Sequence, residues 1–307
     1  MNWTMKFRLD GKLAIYCISI FSIILWGMSY IWSDQLLRMD IPVFCIVCIR
    51  SFVAGLVLLG FNLLAGNSLR ICREDVPKFL LLALCEPFVY FVCETYGIKL
   101  TESPTYSALI IATAPIFSVL AGIVFFKEKF NWVNIIGITI CLFGLLLVTQ
   151  GASTVGERFG AGVLMLFIAV FSEVGYASVT KSLSRRCKPT VIVKYQFLVG
   201  SVLLLPFLCV AGRRQLDVSV WMTWEVWRPL LCLSVLCSSL AFTLWASTIK
   251  NLGVARAGIF LAIIPVVTAL IGAMLGTEFL APSQWAGIGI AFAGLTLTQY
   301  VLKKNRS

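Results

Sequence analysis

The sequence predicts an all-α polytopic membrane protein of ten transmembrane helices, arranged as two inverted five-helix repeats. Three observations predict it. First, 60% of the 307 residues are hydrophobic and only 13% are charged, against about 25% charged in a soluble domain. Second, apolar runs of about 20 residues, the length that crosses a bilayer, follow one another with short connections. Third, the chain matches itself: shifted by 150 positions, Leu80 to Gln150 lies over Leu230 to Tyr300 without a gap. Pro115 falls on Pro265 and Glu128 on Glu278, while Gly122, Gly137 and Gly144 fall on Gly272, Gly287 and Gly294. Pro and Glu are rare in apolar runs, so composition alone does not explain the match.

The basic N-terminus and the apolar run that follows look like a signal peptide. The run from Leu13 to Trp32 is too long for a signal core and no small-x-small site closes it, so it is read as a retained membrane helix. Apolar segments near 13–33, 41–65, 77–99, 103–126 and 130–149 make the first repeat, 13–150. Segments near 159–182, 189–211, 229–249, 255–277 and 283–302 make the second, 159–302. An odd number of crossings per repeat sends the two halves into the membrane from opposite sides, as in alternating-access carriers. In helices 1 and 2 the match is weaker and shifts to an offset of 146, pairing Tyr30 with Tyr176 and Arg50 with Gln196.

Charge sets the expected orientation. With the N-terminus inside, inside segments hold 17 Lys and Arg and outside segments six, while Arg50 and Lys194 fall within helices. Both termini are therefore expected on the cytoplasmic side of a cell inner membrane. The net charge of +11 is read as this loop bias, with the lipid bilayer and not nucleic acid as the partner. Trp221, Trp224 and Trp227 are expected in an outer loop, on a short interfacial segment with its rings in the headgroup layer; a lid over the outer mouth is the alternative.

The chain contains no histidine, which removes imidazole metal sites, Ser-His and Cys-His catalysis and imidazole proton relays. No phosphate-binding glycine loop is present, and no metal or cofactor is expected. Cys45 and Cys48 read as small packing residues one turn apart. Ionisable groups inside membrane helices are costly, and they mark functional sites. Arg50, Glu86, Glu94, Glu173 and Lys194 are such groups; Lys194, near a helix end, is expected to snorkel. Glu86, Tyr90, Glu94 and Gly97 form one stripe on helix 3. Glu173, Tyr176 and Thr180 form another on helix 6, and Ser22, Trp26, Ser29 and Ser33 a third on helix 1. These stripes predict a central cavity among helices 1, 3, 6 and 8, with walls of Trp26, Tyr30, Tyr90, Tyr176 and Trp245. Three acids suit a zwitterionic or cationic substrate, and aromatic faces hold cations too. Coupling to H+ would require Glu86 or Glu94 to be protonated in one orientation and bound to substrate in the other. Pro87, Pro115, Pro206 and Pro265 are expected to bend their helices, and the twin positions Pro115 and Pro265 suit gating hinges. Glu128 and Glu278 are read as structural loop residues. Gly137, Gly144, Gly287 and Gly294 suit close helix approach.

These residues resemble a known family. Trp26-Gly27-Met28-Ser29-Tyr30 looks like the helix 1 pattern of EamA-type permeases of the drug/metabolite transporter superfamily. Arg50 looks like that family's helix 2 arginine. Ser107 through Pro115 to Glu128, then Gly137 and Gly144, looks like its module segment, and Ala257, Pro265, Glu278, Gly287 and Gly294 like the second copy. The resemblance implies a ten-helix carrier, often an exporter of amino acids or related small metabolites, with no fixed substrate. Glu86, Glu94 and Glu173 fall outside that pattern and are expected to mark this chain's own substrate or coupling. Export of cationic drug-like compounds, a channel or signalling role and an intramembrane enzyme are the competing functions.

Overall fold

A computed structural model describes residues 11–66, 73–127, 131–149, 158–211, 221, 223–275 and parts of 281–297. Glu128, Glu278, Arg213, Arg214, both chain termini and much of the tenth apolar run lie outside the described residues. The described residues form helices and no strands. We label them α1 (Gly11–Arg38), α2 (Val43–Leu64), α3 (Arg73–Thr101), α4 (Pro104–Phe126), α5 (Trp132–Thr149), α6 (Phe159–Leu183), α7 (Pro189–Ala211), α8 (Trp224–Leu252) and α9 (Val254–Met274). Among the described residues eight helices are long and apolar enough to span a membrane: α1 to α4 and α6 to α9. Helices suit such a chain because lipid offers backbone N–H and C=O groups no partner. Phe61, Phe125, Phe143, Leu164, Phe171 and Val202 point outward as a lipid-facing surface.

Local chemistry explains the ends. Pro104 opens α4, and the Ser103 hydroxyl accepts from the Tyr106 N–H at 3.1 Å, the usual cap for an unpaired helical donor. Three ends extend past their apolar runs. The last turn of α1 reaches Arg38, supported by a 2.6 Å ion pair to Asp34 one turn back. The start of α3 reaches Arg73. The expected interfacial segment before α8 is also corrected: Trp224 and Trp227 lie in the first turns of the spanning helix itself. Glu225 and Arg228 delay the apolar signal there, but the helix persists through them. Trp227 Nε1 donates to the Trp221 carbonyl at 2.8 Å.

Both repeats break the same helices at matching places. The α4 helix stops at Ile111 and restarts at Ala114; α9 stops at Leu261 and restarts at Ile264. Pro115 and Pro265 occupy the first turn of the second segment, where a missing N–H costs little. Inside α3, Leu84–Val89 widens into a π-type turn, and Cys232–Ala241 does so inside α8. Glu86 leaves helical geometry altogether, at φ −149° and ψ 120°. Ser172 on α6 donates to the Cys85 carbonyl at 2.6 Å, so the break is partly re-satisfied from a neighbouring helix. Pro87 seats against Gly200 of α7, where a Cβ would run into the proline ring.

Twin helices pack on one another. The first segment of α4 lies against the second of α9, and the first of α9 against the second of α4, so the two cross antiparallel. Leu109, Ala112, Ala262 and Val266 fill that crossing. Gly258 makes it close: a Cβ there would lie 2.5 Å from Ser118 Cβ. The α2 helix packs on α7, α1 on α8 and α9, and α6 on α3, so the halves interleave. Lys194 does not snorkel. Its side chain is fully buried, with Nζ 4.1 Å from the Tyr195 ring centroid, because α2, α3 and α8 all pack on α7. Cys45 and Cys48 are buried as expected, and so are Gly137, Gly144, Gly287 and Gly294.

Candidate functional site

A small cavity, about 20 Å³, opens where the halves meet. Trp26, Ser29 and Tyr30 come from α1, Arg50 from α2, and Glu86, Tyr90, Phe91 and Glu94 from α3. Glu173 comes from α6, Phe242 from α8, and Ile111, Leu261 and Ile264 from the two helix breaks.

The break in α3 aims Glu86 inward. Its residue is 1% exposed, and its Oε2 is buried with no hydrogen-bond partner. One and two turns on, Tyr90 donates its hydroxyl to Glu94 Oε1 at 2.9 Å. The Tyr30 hydroxyl approaches Tyr90 and Glu94 without closing a bond of its own. Glu173 is 4% exposed, and the Trp245 indole N–H approaches it, again without closing a bond. Lipid would leave these carboxyls without partners, which is why the stripes face inward.

Arg50 is held on two sides. Its Nε donates to Ser238 Oγ at 2.7 Å, and its guanidinium lies 3.8 Å from the Phe91 ring centroid. The side chain is 2% exposed, and its terminal nitrogens donate to no acceptor among the described residues. A planar, fixed guanidinium with free donors is suited to a carboxylate.

The expected wall differs in depth. Tyr176 and Trp245 stand one layer behind the cavity: Trp245 packs edge-on to Trp26 at 5.1 Å, and Tyr176 edge-on to Phe242 at 5.7 Å. Pro115 and Pro265 are buried beside the breaks that supply Ile111 and Ile264. Sequence reasoning missed Phe91, Phe242, Ile111, Leu261 and Ile264, and the anchoring Ser238. For Ile111 and Leu261 a signal existed, since they are twins at the 150 offset just before the matching breaks. Among the described residues no cluster of His, Cys, Asp and Glu could hold a metal.

Helices that span a membrane, matching breaks in two like halves and a charged cavity between them define a membrane transporter with two-repeat architecture. The chain belongs to the EamA-like transporter family of the drug/metabolite transporter superfamily, whose profile matches residues 13–150 and again 160–300. An uncharacterized transporter of Archaeoglobus fulgidus is 24% identical over 92% of this chain and 95% of its own. The uncharacterized inner membrane transporter YedA of Escherichia coli is 25% identical, over 90% of this chain and 87% of its own. An S-adenosylmethionine/S-adenosylhomocysteine transporter of Chlamydia trachomatis is 25% identical, over 96% and 91% respectively. A solved crystal structure shares the fold with a TM-score of 0.78, at 16% identity, over 96% of this chain and 99% of that one. The protein is a multi-pass membrane transporter, not an enzyme.

Proposed function

We propose that this transporter is a secondary carrier that exports amino acids or related small metabolites across the inner membrane by alternating access. Ten helices form two five-helix units, 13–150 and 159–302, inserted in opposite senses with both termini cytoplasmic. The observation behind the reading is the cavity itself: Arg50, Glu86, Glu94 and Glu173 converge there from both units, away from lipid. Charged groups at membrane depth that share an enclosed space mark a substrate path. The antiparallel crossing of α4 and α9 supports opposite insertion, because twin helices of like-oriented units would run the same way. Trp26, Tyr30, Tyr90, Tyr176 and Trp245 form and back the aromatic wall. The broken helices at Pro115 and Pro265 are the hinges, since each break flanks a cavity residue. A proton held on Glu86 or Glu94 couples the cycle to H+. The resemblance to a carrier named for S-adenosylmethionine, itself an amino-acid derivative, favours amino-acid chemistry over drug export.

Counterflow in proteoliposomes tests the proposal. Unlabelled substrate loaded inside should accelerate entry of labelled substrate, and a pH gradient should drive its accumulation. Flux that neither saturates nor responds to substrate on the far side identifies a channel and overturns the carrier.

A further inference from the structure

The cavity is unbalanced in charge, and the imbalance describes a substrate. It holds three carboxyl side chains and one guanidinium. Buried charges persist when paired, and unpaired ones are expensive. Arg50 can balance one carboxyl or a substrate's carboxylate. Glu94 already has a donor in Tyr90. Glu86 and Glu173 are left: both are buried and line the cavity, and Glu86 Oε2 is fully buried with no partner. A neutral zwitterion brings one charge of each sign and leaves that excess untouched. A substrate with a further positive group reduces it, and Trp26 and Phe242 add aromatic rings that favour a cation.

We infer that the cavity is built for an amino acid whose side group carries its own positive charge, with Arg50 holding the carboxylate and Glu86 and Glu173 sharing the distal cation. The inference rests on the carrier reading above. Arg50 is prepared for its role, because Ser238 and Phe91 fix the guanidinium while its terminal nitrogens stay free. Glu86 lies in the first repeat and Glu173 in the second, so a bound cation links the two units.

Reconstituted wild-type protein, exchanging labelled L-lysine against unlabelled solutes, tests the assignment. L-lysine should exchange about tenfold faster than L-leucine or L-lysine methyl ester, the penalties for lacking the cation and the carboxylate. E86Q and E173Q should each narrow the lysine-to-leucine ratio to below about threefold, and R50Q the lysine-to-ester ratio, in protein that still elutes as one peak with an unchanged melting midpoint. Equal exchange of leucine and lysine overturns the inference and leaves the carrier reading standing. Absence of exchange for every amino acid, in folded protein, overturns both. The wild-type comparison decides the matter even where a variant fails to fold.

Discussion

The two repeats are alike in frame and unlike in charge. Both break their fourth helix before a twin proline, and both widen their third helix at the same register, Leu84–Val89 in one and within Cys232–Ala241 in the other. Yet Glu86, Tyr90 and Glu94 stand where the second repeat has Leu236, Leu240 and Leu244, and Arg50 where it has Gln196. Glu173 is the second repeat's one charge in the cavity, and its counterpart is Gly27. Symmetry therefore resides in breaks and crossings, the parts proposed above as hinges. Asymmetry resides in the groups that would touch a substrate. A duplicated frame can keep its hinges in register while each copy acquires different polar groups.

Making the charged repeat resemble its twin is the largest test. Glu86→Leu should lower exchange by about 100-fold, equivalent to about 3 kcal/mol for a buried charge partner. Leu236→Ala, the reciprocal site outside the cavity, should change exchange by less than about threefold, read in the same counterflow assay. Helix contact gives the next effect. Gly200→Val drives a side chain into the Pro87 ring and should destabilise the protein by about 1–3 kcal/mol, seen as a lower melting midpoint in detergent. At the equivalent residue, Ala54, Ala54→Gly should cost only about 1 kcal/mol. Symmetric hinges make a third prediction. Pro115→Ala and Pro265→Ala should each slow exchange several-fold and by similar factors, with stability changed by less than about 1 kcal/mol because each proline lies in a first turn. Unequal slowing would show that one break alone moves. The smallest effect is expected at Arg186, whose 3.1 Å pair with Glu74 joins the repeats at an exposed surface. Arg186→Ala should cost less than about 1 kcal/mol in thermal unfolding.

Much of this was legible in the chain. A duplicated Pro and Glu in an apolar background stands out, and so does a carboxyl inside a membrane run. That is why Glu86, Glu94, Glu173 and Arg50 could be named before their convergence was seen. Phe91 and Phe242 could not, because an aromatic residue facing a cavity and one facing lipid look the same in a sequence. The depth of Tyr176 and Trp245 was hidden for a like reason: a stripe fixes a helix face but not which neighbouring ring covers it. The start of α8 was misread because Glu225 and Arg228 lower the apolar average, although a helix can run on into the headgroup layer. Lys194 was misread because packing against a neighbouring helix, which a single segment does not reveal, decides whether a lysine reaches the surface.

The proposed function depends on opposite insertion of the repeats, and labelling at twin loops tests it most directly. Asp40 and Arg186, exposed at the 146 offset after the first helix of each repeat, are replaced singly by cysteine in a background without other cysteines. Intact cells are then treated with a membrane-impermeant thiol reagent. The account predicts labelling of D40C in intact cells and of R186C only after permeabilisation. Labelling of both positions from the same side would contradict it.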